Sequence, residues 1–141
     1  MSEELRFHYV VDGNDFTSAG HASVTVKKNL RQLGLDPEII RRVSIAMYEG
    51  EINMVIHAGG GTAEVIVCED YIEILLCDNG PGIKDIKKAM QEGYSTATDN
   101  IRSLGFGAGM GLPNMKRYTD YMNIDSVVGV GTNITMRVNI K

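Results

Sequence analysis

No stretch of the chain approaches the ~18–20 uninterrupted apolar residues that a bilayer crossing needs, which excludes a helical membrane span. The start, Met1-Ser2-Glu3-Glu4, is acidic where a secretory signal is basic, so a cytoplasmic protein with no membrane partner is expected. Positive charge is in deficit too: 14 Lys and Arg against 18 Asp and Glu leave a net charge of −4, which repels a phosphate backbone rather than steering one. Nucleic acid is not an expected partner. Cysteine is scarce, and Cys68 and Cys77 read as lying on adjacent strands, offset around a turn at Asp70-Tyr71 by about four residues, near 13 Å at ~3.3 Å each. That distance is too long for a disulfide, so both are expected to be reduced, buried core residues.

Repeats, linkers and low-complexity runs are missing as well. What is present is a globular composition, 43% hydrophobic residues and 16 glycines in 141, which excludes disorder and suits one domain over residues 1–141. A domain of that size buries roughly two-thirds of its unfolded surface without metals or disulfides.

Periodicity divides the chain into alternating segments and glycine-containing breaks. Arg6 to Val11 reads as a strand. A first helix is predicted from about Ser18, with Ala19, Ala22, Val26, Leu30 and Leu33 as its apolar stripe and Gly34 as its stop. A second starts at Asp36-Pro37-Glu38, where Asp caps and Pro suits the first turn, and runs to about His57. Glu64 to Glu69 and Tyr71 to Asp78 form a strand pair so apolar that both faces are expected to be covered. A short helix over Ile83 to Gln91, another begun by Leu112-Pro113, and a closing strand pair, Met122 to Val128 and Thr132 to Ile140, complete the order. That order predicts an α+β fold, a mostly antiparallel sheet with helices on one face.

Three features carry chemistry. On the second helix Glu49, Asn53 and His57 share one stripe, flanked by Ile45, Ile52 and Ile56 on one side and by Val43, Met47, Gly50 and Met54 on the other. Arg41, Ser44, Tyr48, Glu51 and Val55 are assigned to the water-facing side. A carboxylate and a carboxamide between apolar flanks cost free energy unless paired, by a ligand, a metal or each other. His57, at the helix end, suits a terminal carbonyl or the helix dipole, and His8 and His21 lack the neighbours of a zinc site. Second, Asp78-Asn79-Gly80-Pro81-Gly82 follows a buried strand, as either a plain turn or a carboxylate placed to receive an amide donor against bare backbone. Third, Gly105, Gly107, Gly109 and Gly111 alternate ahead of a helix, a pattern that can aim backbone N–H groups at phosphates or form a loop with no ligand. The run is neither G-x-x-x-x-G-K-S/T, since no Gly precedes a Lys, nor G-x-G-x-x-G.

Taken together, Glu49-x-x-x-Asn53, Asp78-x-Gly80-x-Gly82, the Gly105 to Gly111 run and Gly131-Thr132 resemble, in order and spacing, the N box, two glycine boxes and terminal Gly-Thr of the GHKL (Bergerat-fold) ATPase and kinase superfamily. The resemblance covers essentially the whole chain. It is closest to the small anti-sigma regulatory and switch serine kinases through Asp85 to Thr96 and Gly109 to Arg117. Met54, where the family has a small residue, and Gly50, where Ala is common, depart from the pattern. The resemblance implies a two-layer α/β sandwich with a mostly antiparallel mixed sheet, and it implies ATP and Mg²⁺ as cofactors. In it Asp78 receives the adenine amino group with Thr132 in support, Gly82 leaves room for the ring, and Gly80 is a further nucleotide-binding residue. Asn53 holds Mg²⁺, the Gly105, Gly107, Gly109 and Gly111 backbone wraps the phosphates with Met110 and Leu112 alongside, and Glu49 is the general base. Tyr94 to Ser103 would be the nucleotide lid, with Arg102 as a phosphate contact.

The function implied is transfer of the ATP γ-phosphate to a serine or threonine of a small antagonist-like regulatory protein. An alternative is a nucleotide-shaped binding module that sequesters a sigma factor or another regulator, and homodimerisation is left open. A histidine-kinase catalytic half ranks last, because nothing ahead of the first strand supplies a phosphoacceptor hairpin.

Overall fold

The computed structural model describes residues 4–13, 20–91 and 111–140. Five strands, β1 (Leu5–Asp12), β2 (Gly60–Val67), β3 (Tyr71–Asp78), β4 (Tyr121–Val127) and β5 (Gly131–Asn139), form one sheet in the order β1-β2-β3-β5-β4, and every pairing is antiparallel. Among the described residues four helices accompany them: α1 (His21–Gln32), α2 (Pro37–Ala58), α3 (Ile86–Ala89) and α4 (Gly111–Arg117). This is the expected α+β sandwich.

The helices lie on one face. On β3, Ile72, Ile74 and Leu76 are buried while Tyr71, Glu73, Leu75 and Cys77 alternate with them at partial or full exposure. Coverage of both faces is therefore not observed: the apolar run is a one-sided strand in which Leu75 and Cys77 are apolar residues on the open side. Cys77 is exposed and Cys68 half-buried, so neither is the core residue expected. Both thiols are free, and their offset exceeds the expected one, because Cys77 pairs with Thr62 while the Cys68 N–H bonds the Tyr71 carbonyl.

Local chemistry sets the helix limits. Asp36 accepts from the Glu38 N–H at 2.8 Å with Pro37 in the first turn, and α2 ends at Gly59, whose φ of 73° suits a residue without Cβ. Gly34, at φ 74°, closes α1, and its N–H bonds the Arg31 carbonyl. Of the α1 stripe, Ala22, Val26 and Leu30 are buried, whereas Leu33 is a largely exposed cap and Ala19 and Ser18 lie outside the described residues. The third helix is shorter than expected because Asp85 caps it by accepting from Lys88, and Ile83 instead donates its N–H to Ser126. Among the described residues, no helix is long and apolar enough to cross a membrane.

Two burials contradict the sequence reading. Glu51 and Val55, assigned to the water-facing side of α2, are both buried, Glu51 to 2% exposure. For Glu51 the reason is at the start of α1, where Gly20, at φ 96°, occupies the cap position without a side chain to offer. Glu51 replaces it from α2: its two carboxylate oxygens accept from the N–H groups of Ala22 and Ser23 at 3.0 and 3.1 Å. These are first-turn donors that an α-helix cannot satisfy internally, and the positive end of the helix dipole favours the charge.

Removing this carboxylate strands buried donors, each worth about 1–3 kcal/mol. Glu51→Ala should therefore lower unfolding free energy by at least that much in a urea titration, with the slope unchanged. A midpoint within error of the wild type would show that α1 is held by its apolar stripe alone.

Candidate functional site

Two polar clusters lie along α2, one at its C-terminal end and one further back. The first forms where β3 and β5 end side by side, Asp78 opposite Thr132. Asp78 Oδ1 accepts from the Gly80 N–H at 2.9 Å and the Thr132 N–H at 3.2 Å, so the loop and the strand are tied to one oxygen. Oδ2 takes no hydrogen bond from the described residues. Thr132 is buried, and its hydroxyl lies 2.8 Å from that of Ser126, which in turn accepts the Ile83 N–H at 2.8 Å. Ser126 has no place among the sequence-predicted residues; its only sequence signal is a polar residue in the strand register facing Thr132.

The glycines of this loop answer to backbone contacts within the protein. Gly82 adopts φ 78°, and a Cβ there would meet the Val127 carbonyl at 2.6 Å. At Gly80 it would press on Ala58 at the end of α2, 2.6 Å away. The Gly129 N–H bonds the Pro81 carbonyl at 2.8 Å, so the β4–β5 turn buttresses the loop from the other side.

The second cluster lies between α2 and α4. Leu112 and Met115, both buried, seat α4 on α2. That seating brings Gly111 so close to Asn53 that a Cβ would stand 2.8 Å from the carboxamide nitrogen. It also brings Asn114 within 3.5 Å of Glu49, Nδ2 to Oε1, a long hydrogen bond. Asn114 was not singled out from the sequence, although it lies one turn along α4 from Gly111. Burial pushes the Glu49 carboxyl above the usual glutamate range, and the Asn114 bond offsets part of that rise. A half-buried carboxyl of this kind can exchange a proton with a bound hydroxyl.

Both departures from the family pattern have packing reasons. A Cβ at Gly50 would run into Leu76 of β3, and Met54 is core, 3% exposed. His57 is half-buried and burial holds its imidazole below the usual range, which favours the neutral form over a charge serving the helix dipole. From Ala58, against which Gly80 packs, back to Glu49 is nine residues of helix, about 14 Å at 1.5 Å each, so α2 spaces the two clusters. Gly105, Gly107, Gly109 and Met110, and the segment Tyr94 to Ser103 with Arg102, lie outside the described residues.

A model of the histidine kinase-like ATPase domain matches residues 14–138. The chain is 34% identical over 108 residues to the serine/threonine-protein kinase RsbT of Bacillus subtilis, covering 74% of this chain and 75% of the relative. It is 35% identical over 139 residues to an anti-sigma F factor of Clostridium acetobutylicum, covering 95% and 90%. Among solved structures, the RsbU and RsbW domains of Rv1364c from Mycobacterium tuberculosis superpose with a TM-score of 0.64 at 15% identity. That likeness is one of fold, over 95% of this chain and 32% of the larger one.

The burial of Glu49 has a measurable sign. A carboxyl raised in the folded state contributes stability below its unfolded value, and the contribution is lost as pH rises through the folded one. Glu49→Gln should therefore gain in melting temperature relative to wild type between about pH 4 and neutrality. A difference that stays constant across that range would contradict the desolvation account.

Proposed function

Since the chain belongs to the family of histidine kinase-like ATPase domains, we propose that it is an ATP-dependent serine/threonine protein kinase of the anti-sigma regulatory type. Its substrate is a small antagonist-like regulatory protein. The observation that carries this reading is Glu49 itself: a half-buried carboxyl with a raised pKa, one helical turn before Asn53, is what a general base needs and a plain binding surface does not. Relatives named as a serine/threonine kinase and as anti-sigma factors support the class.

In this reading Asp78 Oδ2 accepts the adenine amino group, while Thr132 and Ser126 hold Asp78 in place. Gly80 and Gly82 keep the loop backbone bare beside the base, and Gly111 and Leu112 set the start of α4 against the phosphates, with Gly105, Gly107, Gly109 and Met110 ahead of it. Asn53 is the residue that would hold Mg²⁺, whose chemistry is to neutralise phosphate charge. Among the described residues no three His, Cys, Asp or Glu side chains gather into a metal site. The sparse donor set suits a cation bound through one protein side chain and phosphate oxygens. Glu49 accepts the proton of the incoming serine or threonine hydroxyl and aligns its oxygen with the γ-phosphorus.

The anti-sigma names favour a second reading, a nucleotide-dependent module that sequesters a sigma factor or another regulator, alone or as a homodimer, without chemistry. Genome neighbourhood supplies the candidate partner, and labelled ATP decides. Glu49→Ala should bind nucleotide nearly as wild type does and lose about 10²–10⁴ in transfer rate. Equal rates would remove Glu49 as the base, and a wild type that binds its partner without phosphorylating it would favour the module. Asp78→Asn should weaken ATP binding by about 1.5–3 kcal/mol in a calorimetric titration, the worth of a hydrogen bond to a charged group. Wild type that takes up no nucleotide at millimolar concentration would defeat both readings.

A further inference from the structure

We propose that Asn114 is the positioning residue for Glu49: from α4 its side-chain amide donates to the carboxylate and holds it in one orientation, a helical turn from Asn53. The proposal rests on Glu49 being the base. A glutamate side chain has several rotamers open to it, and productive geometry requires that one be fixed by a neighbour. The Asn114 bond is the one hydrogen bond that Glu49 receives from the described residues.

The packing makes this contact a product of two helices. On α2, Glu49 and Asn53 are four residues apart and share a face; on α4, Gly111 and Asn114 are three apart and share another. Gly111 lies against Asn53 and Asn114 against Glu49, so the two pairs meet in antiparallel order. Leu112 and Met115 anchor α4 from below, with Met115 against Gly50. Asn114 therefore stands on a seated helix, and its position is set by apolar packing that the carboxylate does not itself provide.

The contact also has an electrostatic consequence. An amide donor favours the ionised carboxylate and opposes the burial that disfavours it. Charged neighbours do not complicate this. Glu51 on α2 is turned to α1, His57 lies two turns further along α2, and Lys116 and Arg117 of α4 are exposed. Among the described residues, burial and the Asn114 bond are what move the Glu49 carboxyl.

The test is a carboxyl titration by carbon-13 NMR of glutamate-labelled protein without nucleotide, the Glu49 signal being assigned by its loss in Glu49→Gln. Asn114→Ala should raise the Glu49 midpoint, and the isosteric Asn114→Asp should raise it further by placing a like charge opposite. At neutral pH, transfer by Asn114→Ala should slow roughly three- to tenfold, the scale of one modest hydrogen bond, and the acidic limb of its rate profile should follow the NMR midpoint. A Glu49 midpoint indifferent to both substitutions overturns the proposal. A wild type that never transfers phosphate overturns the reading of Glu49 as base, and the midpoints then still report whether the amide governs the carboxylate.

Discussion

The close approach of α2 to the sheet at Gly50 shapes the surroundings of the site. A Cβ at position 50 would meet the Leu76 side chain, so the glycine lets β3 come in against α2 there. Successive residues on a helix point about 100° apart, so with Gly50 turned to the sheet Glu49 and Glu51 point to different sides. Glu49 faces α4 and Asn114; Glu51 faces the first turn of α1. Two carboxylates separated by a single glycine thereby enter different environments and different chemistry.

The contrast between them lies in their donors. Glu51, though almost fully buried, receives two backbone N–H groups at the positive end of a helix, the setting in which a buried negative charge is well compensated. Glu49 is half-buried and receives one long bond from the described residues; burial raises its carboxyl and that bond offsets part of the rise. At Asp78 one oxygen is committed to the loop and to β5, and the other takes no hydrogen bond from the described residues.

Much of this was legible in the sequence, for physical reasons that can be named. The stripe of Ala22, Val26 and Leu30, the Asp36-Pro37 start and the apolar run of Tyr71–Asp78 are local signals, and the elements they mark are present. The proximity of Glu49 to Asn53 and of Asp78 to Thr132 also matches the motif spacing. What could not be read was tertiary. The burial of Glu51 depends on where α1 begins, because a helix wheel assigns faces without knowing that another helix lacks its own cap. Coverage of both faces of β3 failed because an apolar run does not say whether its second face meets helices or solvent. Ser126 and Asn114 enter through contacts across sequence separations of 43 and 65 residues, beyond any local periodicity.

The order of strands has a kinetic consequence. β2 with β3 and β4 with β5 are neighbours in sequence and pair as hairpins, whereas β3 and β5 join across the entire segment between them. Hairpins close cheaply, but pairings between distant residues must first overcome the entropy of a long loop, and such contacts slow folding. The bond from Thr132 to Asp78 lies on that seam, 54 residues apart in the chain. The Asp78–Thr132 cluster is therefore assembled when the two halves of the sheet meet, and a chain with both hairpins formed but not yet joined has the residues of that cluster without their arrangement.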